Sequence, residues 1–161
     1  MSQKSVWLIL MLVFVTIASS GCTHSQPVKI GFVAGLTGRL ADLGTGGRDG
    51  ALLATEEINQ AGGIKRARVE LLVRDDRSDV QQALKMDREL IDAGAVAIVG
   101  HVISSASLAT VPLMNNKQTL MLSPTVRTAK PTGLDDYFFS LITPIWPATE
   151  QQAEYAVRQR G

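Results

Sequence analysis

The chain has 161 residues, of which 45% are apolar and 19% charged, with one cysteine and two histidines. That length holds about one domain with its own core, and the apolar content excludes disorder. With 16 basic against 15 acidic residues there is no basic excess for nucleic acid, and so few cysteines and histidines exclude a disulfide framework or a multi-cysteine zinc site, so no cofactor or metal is expected.

Lys4 precedes a run of about 13 almost wholly apolar residues, Val6 to Ala18. A bilayer span needs roughly 18–20 residues, whereas a signal-peptide core fits this shorter run. A buried helix is the bland alternative, but no polar face interrupts the run. Ser19-Ser20-Gly21-Cys22 resembles a bacterial lipobox, a signal in which the cysteine thiol is lipidated and the peptide is cut just before it. The departure is Ser19, where that signal prefers a branched apolar residue. Ordinary cleavage nearby, leaving a soluble periplasmic protein, is the alternative. Residues 1–21 are therefore expected to be a signal peptide, with Cys22 lipidated and 22–27 a polar tether in which His24 is a bystander. Removing 1–21 takes away one base, Lys4, and no acid, so the remaining charges balance.

The body alternates strand and helix signals. Val28 to Ala34 is the first expected strand, and Gly35-Leu36-Thr37-Gly38 a turn. A helix is expected from about Gly47 to Gln60, with Ala51, Leu52, Thr55 and Ile58 inward and Glu56, Glu57 and Asn59 outward, stopped by Ala61-Gly62-Gly63. Ala67 to Asp75 is the second strand. Ser78 or Asp79 caps a helix running to about Ala93, whose stripe of Val80, Ala83, Leu84, Leu90 and Ile91 is interrupted by Asp87 and so expected to pack loosely there. Ala95 to Val99 is continuously apolar, which suits a central parallel strand. A helix over about Ser105 to Met114, strands over Thr119 to Leu122 and Tyr137 to Ile142, and a helix from Pro147 to Arg160 complete the order. Such alternation predicts an α/β fold, a doubly wound parallel sheet with right-handed crossovers.

Ligands of such sheets bind beyond the carboxyl ends of the strands, where the strand order reverses. The loops there are Gly35 to Gly47, Asp75 to Ser78, Gly100 to Ser105 and Ser123 to Thr132. At His101-Val102-Ile103-Ser104-Ser105, free N–H groups at a helix start and two serine hydroxyls suit a carboxylate ligand. Equally, Ser104 or Ser105 could simply cap the helix. Gly44-Thr45-Gly46-Gly47 fails as a nucleotide loop, since it has no following Lys-Ser/Thr and Asp49 replaces the third glycine of the dinucleotide fingerprint, so it reads as a flexible approach to the helix. Asp75, Asp76 and Asp79 lack the spacing of a calcium loop and read as a solvated helix start. A hydrolase would need Ser104 activated by His101 with Asp75 nearby, but there is no Gly-x-Ser-x-Gly elbow.

Taken in order, several segments resemble a known family. These are Val28 to Val33 with Leu36-Thr37-Gly38, Gly50-Ala51 through Glu57-Ile58-Asn59-Gln60-Ala61-Gly62-Gly63-Ile64, and Leu71 to Asp76. Ala97 to Gly100 with Ser104-Ser105, Leu122-Ser123-Pro124-Thr125, and Tyr137-Phe138-Phe139 continue the match. The pattern is similar to the leucine-binding type of periplasmic binding protein, the substrate-binding component of branched-chain amino-acid ABC transporters. The resemblance implies two α/β lobes closing on a ligand, with 28–142 the N-terminal lobe and 143–161 a hinge and the first helix of a second lobe. It further implies that Ser104 holds a ligand carboxylate, that the backbone at Thr125 takes part in binding the ammonium, and that Leu43 lines the cleft. Arg127 stands where a hydroxyl residue often completes the clamp, unless Thr128 serves; an inward Arg127 would favour an acid or another polar ligand.

Family members are longer, so the chain is expected to be a fragment or a truncated form, whose last helix should fray without its own lobe. The implied partners are a small ligand (an amino acid or a related carboxylate or amide), an inner-membrane ABC permease, and the membrane itself through lipid on Cys22. The expected location is the periplasm or cell surface, and the expected mechanism is capture without covalent chemistry. A ligand-sensing domain of a receptor or regulator is the alternative, and a Ser104/His101 hydrolase a more distant one.

Overall fold

The computed structural model describes residues 25–127, 136–142 and 145–160. The expected signal segment, Cys22, His24 and Thr128 to Thr132 lie outside them. In chain order the elements are β1 (Val28–Ala34), α1 (Ala41–Gln60), β2 (Val69–Asp75), α2 (Val80–Asp92) and β3 (Ala97–Val99). They continue with α3 (Ser104–Lys117), β4 (Leu120–Ser123), β5 (Phe138–Ser140) and α4 (Ile145–Arg160). The strands form one sheet in the order β2-β1-β3-β4-β5, and every neighbouring pair is parallel. This is the doubly wound α/β architecture that the alternation predicts.

Alternation along β1 assigns the two faces, because successive side chains point opposite ways. Val33 turns to a core of Met86 and Leu90 from α2, Met114 from α3, and Ile98 and Met121 from the central strands. Phe32 turns the other way and lies under Gly47 of α1. Helices therefore cover both faces, which is why β3 and the second half of β1 can be apolar. The described side chains of α4 are all exposed.

α1 begins six residues earlier than the sequence suggests, at Ala41, and the glycine run lies inside it. The reason is packing. Gly44 is buried, and a Cβ there would overlap the Gly35 carbonyl oxygen. The glycine lets the helix approach the end of β1, rather than breaking the helix. Gly46, by contrast, faces open space. Gly46→Ala is therefore expected to stabilise the fold by about 0.5–1 kcal/mol through helix propensity. Gly44→Ala should cost about 1–3 kcal/mol through overpacking. Urea midpoints of the two variants measure both, and equal shifts would contradict this packing account.

Two inward positions are also corrected. Leu52 and Ile58 are 41% and 40% exposed, so they do not form a buried stripe. Asn59 faces inward instead: its Nδ2 donates to the Val69 carbonyl (2.9 Å) and its Oδ1 accepts from the Val69 N–H (2.7 Å). At the start of α2 the cap is Asp79, whose Oδ1 accepts from the Gln82 N–H at 2.8 Å. Asp87 does not loosen α2; it is fully buried beside Met86 and Leu90.

Candidate functional site

The strand order reverses between β1 and β3, since β2 lies beyond β1 on one side and β4 beyond β3 on the other. The loops leaving β1 and β3 therefore diverge at this point, which is where sheets of this kind bind their ligands. A Cβ at Gly100 would overlap the Val33 carbonyl, and its φ is 148°, so only glycine holds the end of β3 this close to the end of β1.

Ile103, in extended conformation, is the residue before α3, and it makes no side-chain cap bond. Ser104 and Ser105 are the first two helical residues, half-buried and exposed respectively. Neither is the cap, which removes the bland reading of both serines. Their amides and hydroxyls have no partner among the described residues. Free amides at a helix start carry partial positive charge and suit an anion.

The other expected site residues lie along the same edge. Leu43 is in the first turn of α1 and 51% exposed. Thr125 follows β4 and is half-buried; its hydroxyl donates to the carbonyls of Val102 (3.0 Å) and His101 (3.4 Å). Arg127 is exposed. The loops after β1 and β2 are joined by Asp75, which accepts from the Leu36 N–H, the Thr37 hydroxyl and the Arg77 N–H. Partial burial pushes the Asp75 carboxyl up, but these hydrogen bonds together hold it below its ordinary pKa.

Beneath Ser104 lies an arrangement that sequence spacing does not reveal. The His101 ring is fully buried between two buried carboxylates. Nδ1 is 2.6 Å from Asp76 Oδ2, and Nε2 is 3.1 Å from Asp87 Oδ2. Burial disfavours a charged imidazole, but the hydrogen bonds to Asp76 and Asp87 and the charges of both outweigh it. The His101 pKa is pushed up to about 9. At neutral pH both ring nitrogens therefore carry protons, one for each carboxylate. Asp76 Oδ1 also accepts from the Ser78 N–H at 2.8 Å.

Two expectations change as a result. Asp76 is not part of a solvated helix start, because the imidazolium holds it inside. His101 has no ring nitrogen left to activate Ser104, so the residues of the hydrolase reading do not come together. The signal in the sequence was the charged residue at an inward position of α2, which is costly unless paired.

Residues 27–161 match the family described as Periplasmic binding protein. The chain belongs to that family. Among curated periplasmic binding proteins it is 33% identical over 109 residues to the leucine-, isoleucine-, valine-, threonine- and alanine-binding protein of Pseudomonas aeruginosa, covering 68% of this chain and 29% of that protein. It is 26% identical over 110 residues to the Leu/Ile/Val-binding protein of Escherichia coli, covering 68% and 30% of the two. The matched stretch thus spans less than a third of either relative. Among solved structures, the substrate binding protein LivJ of Streptococcus pneumoniae, in complex with isoleucine, superposes with a TM-score of 0.70 at 32% identity, covering 74% of this chain and 34% of that one. The leucine binding protein LivK of Thermotoga maritima gives 0.72 at 25% identity, covering 82% and 37%. These relatives are named as binding proteins rather than enzymes. Among the described residues, no helix is long and apolar enough to cross a membrane.

Proposed function

We propose that this chain is the ligand-binding lobe of an ABC-transporter substrate-binding protein that captures an amino acid of the branched-chain type and presents it to a permease. Residues 28–142 form that lobe, and 143–161 are the hinge and the first helix of a second. Export to the periplasm follows from the signal segment, and Cys22 carries the lipid that anchors the protein.

The observation that carries this reading is the start of α3, where the amides and hydroxyls of two serines have no partner among the described residues, beside the strand-order reversal. A carboxylate there accepts from Ser104 and Ser105. The Thr125 backbone faces the ammonium, Leu43 borders the apolar part of the cleft, and Arg127, exposed like Leu43, extends into the solvent-facing part of the same edge, where it favours the acid group of the ligand. The second lobe closes over the ligand and strengthens these polar contacts by excluding water.

Titration calorimetry of the native gene product with L-leucine and L-leucinamide tests this reading. Leucine is expected to bind and the amide, which lacks the carboxylate, to bind far more weakly. Ser104→Ala should weaken leucine by about tenfold or more, the worth of a hydrogen bond to a charged group. Equal binding of acid and amide would sink the carboxylate assignment. No saturable binding of any amino acid would sink the transport reading.

A further inference from the structure

We propose that Asp87, acting through His101, is a positioning residue that sets the shape of the loop presenting Ser104 and Thr125 to the ligand. This rests on the amino-acid-binding reading above and assigns that site the device that holds it in shape.

His101 joins separate segments of the edge. Its ring is gripped by Asp76, after β2, and by Asp87, on α2. Its backbone N–H donates to Ser107 Oγ of α3 at 3.1 Å. Its carbonyl accepts from the hydroxyls of Ser107 (3.2 Å), Ser123 (3.3 Å) and Thr125 (3.4 Å). The segment leading to Ser104 and the loop carrying Thr125 are therefore tied at one carbonyl, whose place depends on where the ring is held. Among the described residues, the charged side chains facing the ring are Asp76 and Asp87; α3 and β4 face His101 with neutral hydroxyls.

Asp87 is a poor choice for stability alone. It stands between Met86 and Leu90 on the apolar face of α2, and its Oδ1 has no partner among the described residues. Apolar residues usually match or exceed a buried ion pair in stability. What a leucine there could not do is accept the second ring proton. With Asp76 alone, the ring could swing about its Nδ1 bond. Two opposed acceptors fix both its tilt and its depth.

The test compares Asp87→Leu, which keeps bulk but removes the acceptor, with Asp87→Asn, which keeps a polar group that can bond a neutral ring. The readouts are L-leucine affinity at pH 7 and amide hydrogen exchange of residues 101–107, both on the native gene product. Asp87→Leu is expected to weaken leucine by about tenfold, the worth of a lost polar contact, with exchange in 101–107 faster by a similar factor. Asp87→Asn is expected to recover most of both. Wild-type affinity and exchange in Asp87→Leu would overturn the proposal. So would an Asn variant no better than Leu, since the polar contact would then not be what matters. If the wild-type protein binds no leucine, the leucine reading of the site fails, while the exchange data still decide the positioning role. Should neither variant fold, nitrogen NMR of the wild-type ring decides, with the His101 signal identified by its absence in His101→Gln or by proximity to Ser107. Two N–H groups at pH 7 are expected, and a single one would overturn the clamp.

Discussion

Replacing His101 with leucine is expected to destabilise the fold by about 3–5 kcal/mol, the usual cost of removing one partner from a buried ion pair. That is a large share of a domain's total stability, which is about 5–15 kcal/mol. The cause is not lost volume, since the two side chains are similar in size. Without the imidazolium, Asp76 and Asp87 are two fully buried carboxylates with an alkyl group between them in place of a proton donor. Asp76 keeps the Ser78 N–H, whereas Asp87 keeps no hydrogen bond among the described residues. The double variant His101→Leu/Asp87→Leu should therefore be more stable than His101→Leu alone, because it removes the less supported carboxylate. Urea denaturation of the wild type, both single variants and the double variant closes the cycle. Simple additivity would mean that charge pairing is not what holds these residues together.

Raising the pH should weaken the same cluster without any mutation. In the fold the His101 pKa is about 9, above the ordinary 6.5. The folded state thus holds the proton more tightly than the unfolded chain does. The stabilisation is complete below pH 6.5 and is lost as pH rises through 9. Its size follows from the shift, roughly 3 kcal/mol at one pKa unit per 1.36 kcal/mol. Unfolding free energies measured between pH 6 and 10 should fall over that window. The midpoint should coincide with titration of the His101 ring nitrogens seen by NMR. A flat profile to pH 9.5 would show that the ring is held neutral.

The sheet was legible from the sequence because its evidence is repetitive. Short, largely apolar runs at β1, β3 and β4 alternate with helical stretches, and that order alone implies parallel pairing. The position of Ser104 at a helix start beside β3 followed from the same alternation. Three of the misreadings share one physical origin, contacts that the local pattern does not show. Gly44 looks like part of a flexible approach to the helix until the Gly35 carbonyl is seen against it. Asp87 looks like a flaw in a stripe, because its partner His101 belongs to another element. His101 looked available to Ser104 because proximity along the chain does not say where both ring nitrogens point.

Asn59 looked outward for the same reason, and its true place bears on self-association. β2 is the edge of the sheet, and the Val28 N–H bonds to the Arg68 carbonyl, so the alternating groups of Val69 point away from β1. Both of those groups are taken by the Asn59 side-chain amide. The side chain thus substitutes for one rung of a missing sixth strand. An exposed edge is a template for strand addition by another copy, and proteins commonly block it with charge or bulges. Here one helix side chain fills the outward groups of Val69, so a strand adding to this edge would find its first rung already taken by the residue that also docks α1.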